Sequence, residues 1–120
     1  MPKITIKRVY DPPAPQDGLR VLVDRLWPRG LSKAAARVDL WLKDIAPSAE
    51  LRRWFNHEPE RWQAFCARYE AELASAGAAL QALHAAAAGQ AAVTLLYAAR
   101  DAERNNAVAL KAFLEHKPPA

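Results

Sequence analysis

The sequence predicts an α/β fold, a small Rossmann-like three-layer domain with a short, mainly parallel sheet flanked by helices. Three observations carry this. Two apolar runs, Arg20 to Asp24 and Val93 to Ala98, end abruptly in charge. Runs of this length bounded by Gly, Pro and charge read as buried strands. Between them lies a long stretch of helical spacing, the kind of crossover that joins parallel strands, normally with right-handed sense. The opening Ile4-Thr5-Ile6-Lys7 alternates apolar and polar residues, as a half-exposed strand near a sheet edge does.

The elements follow in chain order. Tyr10 to Gly18 is a loop, because its prolines forbid regular pairing. After the second strand, Ser32 caps a short helix near Lys33 to Ala36. Asp39 to Ile45 fits either a short strand or a turn of helix. Ser48 is the N-cap of a helix that buries Leu51, Trp54 and Phe55, with Glu50 near its positive end. Asn56-His57-Glu58 breaks it. Pro59 stands at a first helical position, followed by Trp62, Phe65, Cys66, Tyr69 and Leu73 at helical spacing. Gly77 interrupts. Ala78 to Ala88 forms an alanine-rich helix with Leu80 and Leu83 inward and Gly89 as its stop. The last helix runs from about Glu103 to Glu115, and Lys117 to Ala120 is a frayed tail.

With 120 residues the chain fits a single domain, and 52% hydrophobic residues argue against disorder. No apolar stretch reaches the roughly 18 residues of a membrane helix, and the first residues lack a signal peptide's apolar run. A lone cysteine, Cys66, forms no internal disulfide. These features point to a cytoplasmic protein. The three histidines and Cys66 have no ligand spacing, so neither a metal nor a cofactor is expected. The net charge of +4, carried largely by arginine, suits an anionic partner and favours bidentate recognition of phosphate or carboxylate.

If the two apolar strands are parallel neighbours, Asp24, Arg25, Arg29, Arg100 and Asp101 share the rim at their carboxyl ends. In open α/β sheets ligands bind there. Asp24 is a candidate general base or ligand acceptor, with an ion pair to Arg100 or Arg29 as its plain structural alternative. Trp27-Pro28-Arg29-Gly30 holds an arginine in a tight turn, Pro28 fixing φ and Gly30 permitting close backbone approach. Trp27 either borders a ligand or staples the turn to the core. Asp101 is either a proton-handling group or the cap of the last helix. Asn105 and Asn106 fall in that helix's first turns, where asparagine is a poor interior residue, which suggests a polar role, with a plain surface position as the alternative. Tyr97 either presents its hydroxyl to the pocket or packs in the core. His57 is a further candidate acid or base, and Lys43 and Arg52 are possible rim charges.

Several strings resemble one family. They are Arg20 to Lys33 (RVLVDRLWPRGLSK), Trp41 to Ser48 (WLKDIAPS), Leu51 to His57 (LRRWFNH) and Leu95 to Asp101 (LLYAARD) with Asn105-Asn106. Together they resemble the YeaO-like branch of the domain-of-unknown-function 488 family over nearly the whole chain. The resemblance implies the fold more than any chemistry, since the family has no established activity. Other branches look similar at both strand ends but carry a Cys-His pair where Asn105-Asn106 stands. Neither amide acts as a thiolate or an imidazole base, though asparagine still binds substrate or donates to an oxyanion.

The functional expectation is a protein that binds or acts on a small anionic or nucleotide-like ligand at the strand rim. If it is an enzyme, it is a hydrolase or transferase working without a metal or a cysteine nucleophile. The alternative is a DNA-binding or regulatory module, since the helices at Ser48–Phe55 and after Pro59 loosely mimic a helix-turn-helix. Glu58, Glu60, Glu70 and Glu72 on the second of these oppose phosphate.

Overall fold

The computed structural model describes residues 2–115. The expected frayed tail lies outside them. Four strands form one sheet: β1 (Lys3–Arg8), β2 (Leu19–Leu22), β3 (Leu40–Trp41) and β4 (Ala92–Tyr97). The order is β1-β4-β2-β3, and every neighbouring pair is parallel. The helices are α1 (Lys33–Ala36), α2 (Ala49–Phe55), α3 (Trp62–Ala74), α4 (Gly77–Ala87) and α5 (Asn106–Leu114). Asp39 to Ile45 contains both alternatives left open by its sequence, β3 followed by a 3-10 turn at Lys43–Ile45. The Tyr10–Gly18 loop is not wholly irregular, because Pro15–Asp17 closes another 3-10 turn.

Register sorts the side chains onto two unequal faces. The row Ile6, Leu95, Val21 and Leu40 points to the larger core. There α2 to α5 supply Leu51, Phe55, Phe65, Tyr69, Leu83 and Leu110. The next row, Lys7, Leu96, Leu22 and Trp41, points the other way. On that side Val9, Leu22, Leu96 and Ala36 of α1 form a small core, with Trp27 and Trp41 packed edge to face against it. The aromatic stripe of α3 is core: Phe65 lies 4.6 Å from Phe55 and stacks on Trp62 at 5.6 Å, centroid to centroid.

Local chemistry sets the helix ends. Ser32 Oγ accepts from the Ala35 N–H and Ser48 Oγ from the Leu51 N–H, so both caps form as their sequences predict. Glu72 of α3 also accepts from the Ser48 backbone and hydroxyl, which ties the start of α2 to α3. Gly77 does not break the helices. It is the first residue of α4, and the break falls at Ser75-Ala76. The start of α5 is also later than its sequence predicts, at Asn106 and not near Glu103.

A polar row crosses the small face. Thr5 and Thr94 share a hydroxyl hydrogen bond of 2.9 Å, and Arg20 stands in register beside Thr94. Asp17, from the preceding loop, closes this row. Its carbonyl accepts from Thr94 Oγ1, and its carboxylate pairs with Lys7 and with buried Arg20. The Arg20 guanidinium also donates to the Ala36 and Arg37 carbonyls, so this buried charge is fully bonded. Burial pushes the Asp17 carboxyl upward, but the Ala14 N–H, Lys7 and Arg20 outweigh it and hold the group below its ordinary value of 3.8.

Gly18 makes the closest backbone approach. Its φ is +64°, and a Cβ there would overlap the Ala92 carbonyl at the start of β4. Gly30, expected to serve close approach, has φ +75° with nothing within 4 Å of a Cβ, so it only supplies the turn.

Replacing Asp17 by Ala leaves Arg20 buried without a counter-charge and should cost about 3–5 kcal/mol in urea unfolding at pH 7. Because the folded carboxyl is held low, its contribution is present above pH 3.8 and fades as pH falls through the folded value. The acid limb of the stability curve should therefore be shallower in Asp17→Ala than in the parent. Gly30→Ala should lose about 1–2 kcal/mol from its left-handed backbone alone. Gly18→Ala should lose more, since overlap with β4 adds to backbone strain. Equal losses in the two glycine variants would contradict the close approach.

Candidate functional site

The site lies where β2 and β4 end. Val23 continues the pairing of β2, its N–H donating to the Leu96 carbonyl at 3.1 Å. Asp24 then turns its carboxylate across the gap. Oδ2 accepts from the Ala98 N–H at 2.9 Å, and Oδ1 accepts from Asn106 Nδ2 at 3.0 Å. The same Asn106 amide donates to the Val23 carbonyl at 2.9 Å, and Trp41 Nε1 donates to the Asp24 carbonyl at 2.8 Å. One residue thus fastens the ends of β2 and β4, β3 and the first turn of α5. The ion pair to Arg100 or Arg29, the structural alternative for Asp24, does not form among the described residues. Burial pushes the Asp24 carboxyl above its ordinary value, and the Asn106 amide, the Ala98 N–H and the Arg52 charge offset this only in part.

Asn105 and Asn106 divide two tasks. Asn105, 3% exposed, is the N-cap of α5: its Oδ1 accepts from the Val108 N–H at 3.0 Å, and its Nδ2 donates to the Asp101 carbonyl at 2.9 Å. Asn106 is the Asp24 latch. Asp101 therefore does not cap α5. It closes the turn before it, Oδ1 accepting from the Glu103 and Arg104 N–H groups and Oδ2 from the Arg104 guanidinium. The Glu103 N–H, joined by both Arg104 donors, holds the Asp101 carboxyl below its ordinary value against a slight opposing effect of burial.

These residues border a cleft of about 640 Å³. Asp24, Arg25, Trp27 and Arg29 line it from the segment after β2, Asn105 and Asn106 from the start of α5, and His57 from the α2–α3 turn. An adjoining cleft of about 830 Å³ shares part of its wall and is lined by Arg100 and Asp101. Tyr97 lines neither: it is 4% exposed, and its ring packs in the larger core. Trp27 staples its turn to the small core, its Nε1 donating to the Leu31 carbonyl at 2.7 Å, and it also lines the cleft. His57 and the preceding Asn56 both have left-handed backbones, φ 54° and 48°, which turn the chain off α2 and bring the imidazole to the wall common to both clefts.

The guanidinium groups differ sharply in how well they are bonded. Arg25 Nη2 donates weakly to the Ala46 carbonyl at 3.3 Å, while its enclosed Nε has no acceptor among the described residues. Arg8, Arg25, Arg29, Arg52 and Arg100 have no carboxylate within ion-pair distance among those residues, and Arg104 pairs with Asp101. Six arginines and two aspartates thus line the two clefts, an excess of four that equals the formal net charge of the chain. Arg8, Tyr10 and Arg104 were not foreseen from sequence. Arg8 ends β1, donates to the Ala98 and Ala99 carbonyls and stacks over Tyr10 at 4.7 Å, while the Tyr10 hydroxyl donates to the Arg29 carbonyl at 2.8 Å. The strand-end charge of Arg8 was the available signal, but its use requires knowing that β1 adjoins β4.

Residues 3–118 match the family model described as "Inactive DUF488-N3 subclade". The chain belongs to the DUF488 family. It is 45% identical over 112 residues to the uncharacterized protein Rv3073c of Mycobacterium tuberculosis, covering 93% of each chain. It is 44% identical over 111 residues to the uncharacterized protein YeaO of Escherichia coli, covering 92% of this chain and 96% of that one. No solved structure matches. Among the described residues no helix is long and apolar enough to cross a membrane. In this DUF488 chain Asn105 is committed to the N-cap of α5 and Asn106 to the Val23 carbonyl and the Asp24 carboxylate.

The latch gives a direct test. Asn106→Asp would set a second carboxylate against Asp24 and a carbonyl, removing two donors. The variant should be destabilised by several kcal/mol at pH 7 and regain part of that as pH falls and the pair takes up a proton. Asn106→Ala should lose about 1–3 kcal/mol with much less pH dependence. Denaturant titrations at pH 5 and 7 read both, and a pH-independent loss in Asn106→Asp would show that the carboxylates do not meet.

Proposed function

We propose that this protein binds a small anionic, nucleotide-like ligand in the arginine-lined cleft at the strand carboxyl ends, and that binding rather than turnover is its task. The observation that carries this reading is the Arg25 guanidinium on the cleft, whose one side-chain hydrogen bond among the described residues is the 3.3 Å contact of Nη2 with the Ala46 carbonyl. A guanidinium so weakly bonded gains from a charge-assisted bond of its Nη groups to a phosphate or carboxylate. Arg29 and Arg52 on the same cleft, with no carboxylate partner among the described residues, support the same ligand chemistry. The volume of about 640 Å³ suits an organic molecule better than a lone phosphate.

Two features favour binding over catalysis. Both Asp24 oxygens and both Asp101 oxygens already accept protein hydrogen bonds that hold strand ends and a turn, so each carboxylate has a structural task. Asn105 and Asn106 hold a helix start and a strand end, and the matching family carries the description "inactive". A nucleic-acid module on α2 and α3 has less support. Trp62, Phe65 and Tyr69 are buried, and the Trp54 ring is covered by Arg68 at 4.0 Å and Arg61 at 5.3 Å.

A thermal-shift panel of inorganic phosphate, nucleoside monophosphates, nucleosides and short DNA tests this. A nucleotide at about 100 times its Kd adds about 2.7 kcal/mol and should raise the midpoint by about 10 °C. That shift should vanish in Arg25→Ala and shrink in Arg29→Ala, with circular dichroism unchanged. A flat small-molecule panel, or a shift that survives Arg25→Ala, would overturn the proposal.

A further inference from the structure

We infer that the ligand carries two separated anionic groups joined by an uncharged ring-bearing middle, the chemistry of a nucleoside 3′,5′-bisphosphate. This rests on the anion-binding reading above and specifies it. The two clefts share one wall and carry further arginines at either end. Arg25 and Arg52 line only the inner cleft, and Arg8 and Arg100 only the outer one. The shared wall presents the rings of Tyr10, Phe55 and His57 together with Arg29 and Arg104.

The bonding of these groups separates those available to a ligand from those already used. Arg104 pairs with Asp101, while Arg8 uses its Nε on two carbonyls and lies over the Tyr10 ring. Arg25 at the inner end and Arg100 at the outer end have no ion-pair partner among the described residues, and Arg100 is exposed. A ligand with one anionic group would satisfy one end and leave the other uncompensated. Two phosphates on one side of a sugar would both lie in one cleft and leave the other end unmet. Phosphates on opposite sides of a nucleoside would meet both ends, with the ring system against Tyr10, Phe55 and His57 of the shared wall.

Isothermal titration at fixed ionic strength compares four probes: 5′-AMP, 3′-AMP, ADP and adenosine 3′,5′-bisphosphate. ADP controls for the number of phosphates, since both of its phosphates lie on one side. The bisphosphate should bind at least about ten-fold more tightly than any of the other three, the gain expected of one added charge-assisted contact. Arg100→Ala should reduce that ratio to about two-fold or less, whereas Arg25→Ala should weaken all the probes together. Tight monophosphate or ADP binding with no further gain for the bisphosphate would overturn the two-anion inference and leave anion binding standing. So would a ratio unchanged in Arg100→Ala. Failure of all four probes to bind would overturn both readings.

Discussion

The fold depends on β4 entering the sheet between β1 and β2. Those two strands are neighbours in sequence but not in space, because each pairs with β4 and neither pairs with the other. About 70 residues separate β2 from β4, so closure of the sheet waits on a long crossover and on contacts remote in sequence. Being central, β4 is covered on both faces, which explains why Val93 to Tyr97 is buried without interruption. The same insertion brings the ends of β2 and β4 together, and the candidate site is built from the segments just beyond those ends.

Two aspartates lock β2 to β4 from opposite ends, and their electrostatics run in opposite directions. Asp17, at the amino end, faces Lys7 and Arg20 and is held in its charged form. Asp24, at the carboxyl end, is held by a neutral amide and a backbone N–H, and burial makes its charge costly. The first lock gains stability as pH rises through the acid range, and the second loses some as its raised carboxyl ionises. Asp24 is thus the costlier of the two locks to ionise. Its place beside Arg25 and Arg52 on the cleft gives the carboxyl end of the sheet an electrostatic part as well as a cohesive one.

What the sequence made legible was local. The caps at Ser32 and Ser48, the buried runs of β2 and β4 and the crossover between them each depend on residues a few positions apart. Residues 101–106 misled because Asp101 and Asn105 are both cap-type residues four positions apart, and each closes a turn of its own. Tyr97 was ambiguous because the last residue of a buried strand faces either the core or the rim, and only register decides which. Arg20 reads as an interruption of an apolar strand until Asp17, three residues earlier in a proline-rich loop, is seen to neutralise it. Arg8, Tyr10 and Arg104 join the site through the order of the strands, which no local pattern encodes.

The division of labour among the rim residues bears on function more than any one of them does. The carboxylates and amides of the rim hold structure: Asp24 and Asn106 at the strand ends, Asp101 and Asn105 at the start of α5. Most of the rim's guanidinium groups have no carboxylate partner among the described residues. Like charges gathered on one rim repel one another and lower the stability of the empty fold. Counter-charge from outside the chain would offset that cost, and this is the physical basis of the anion binding proposed above.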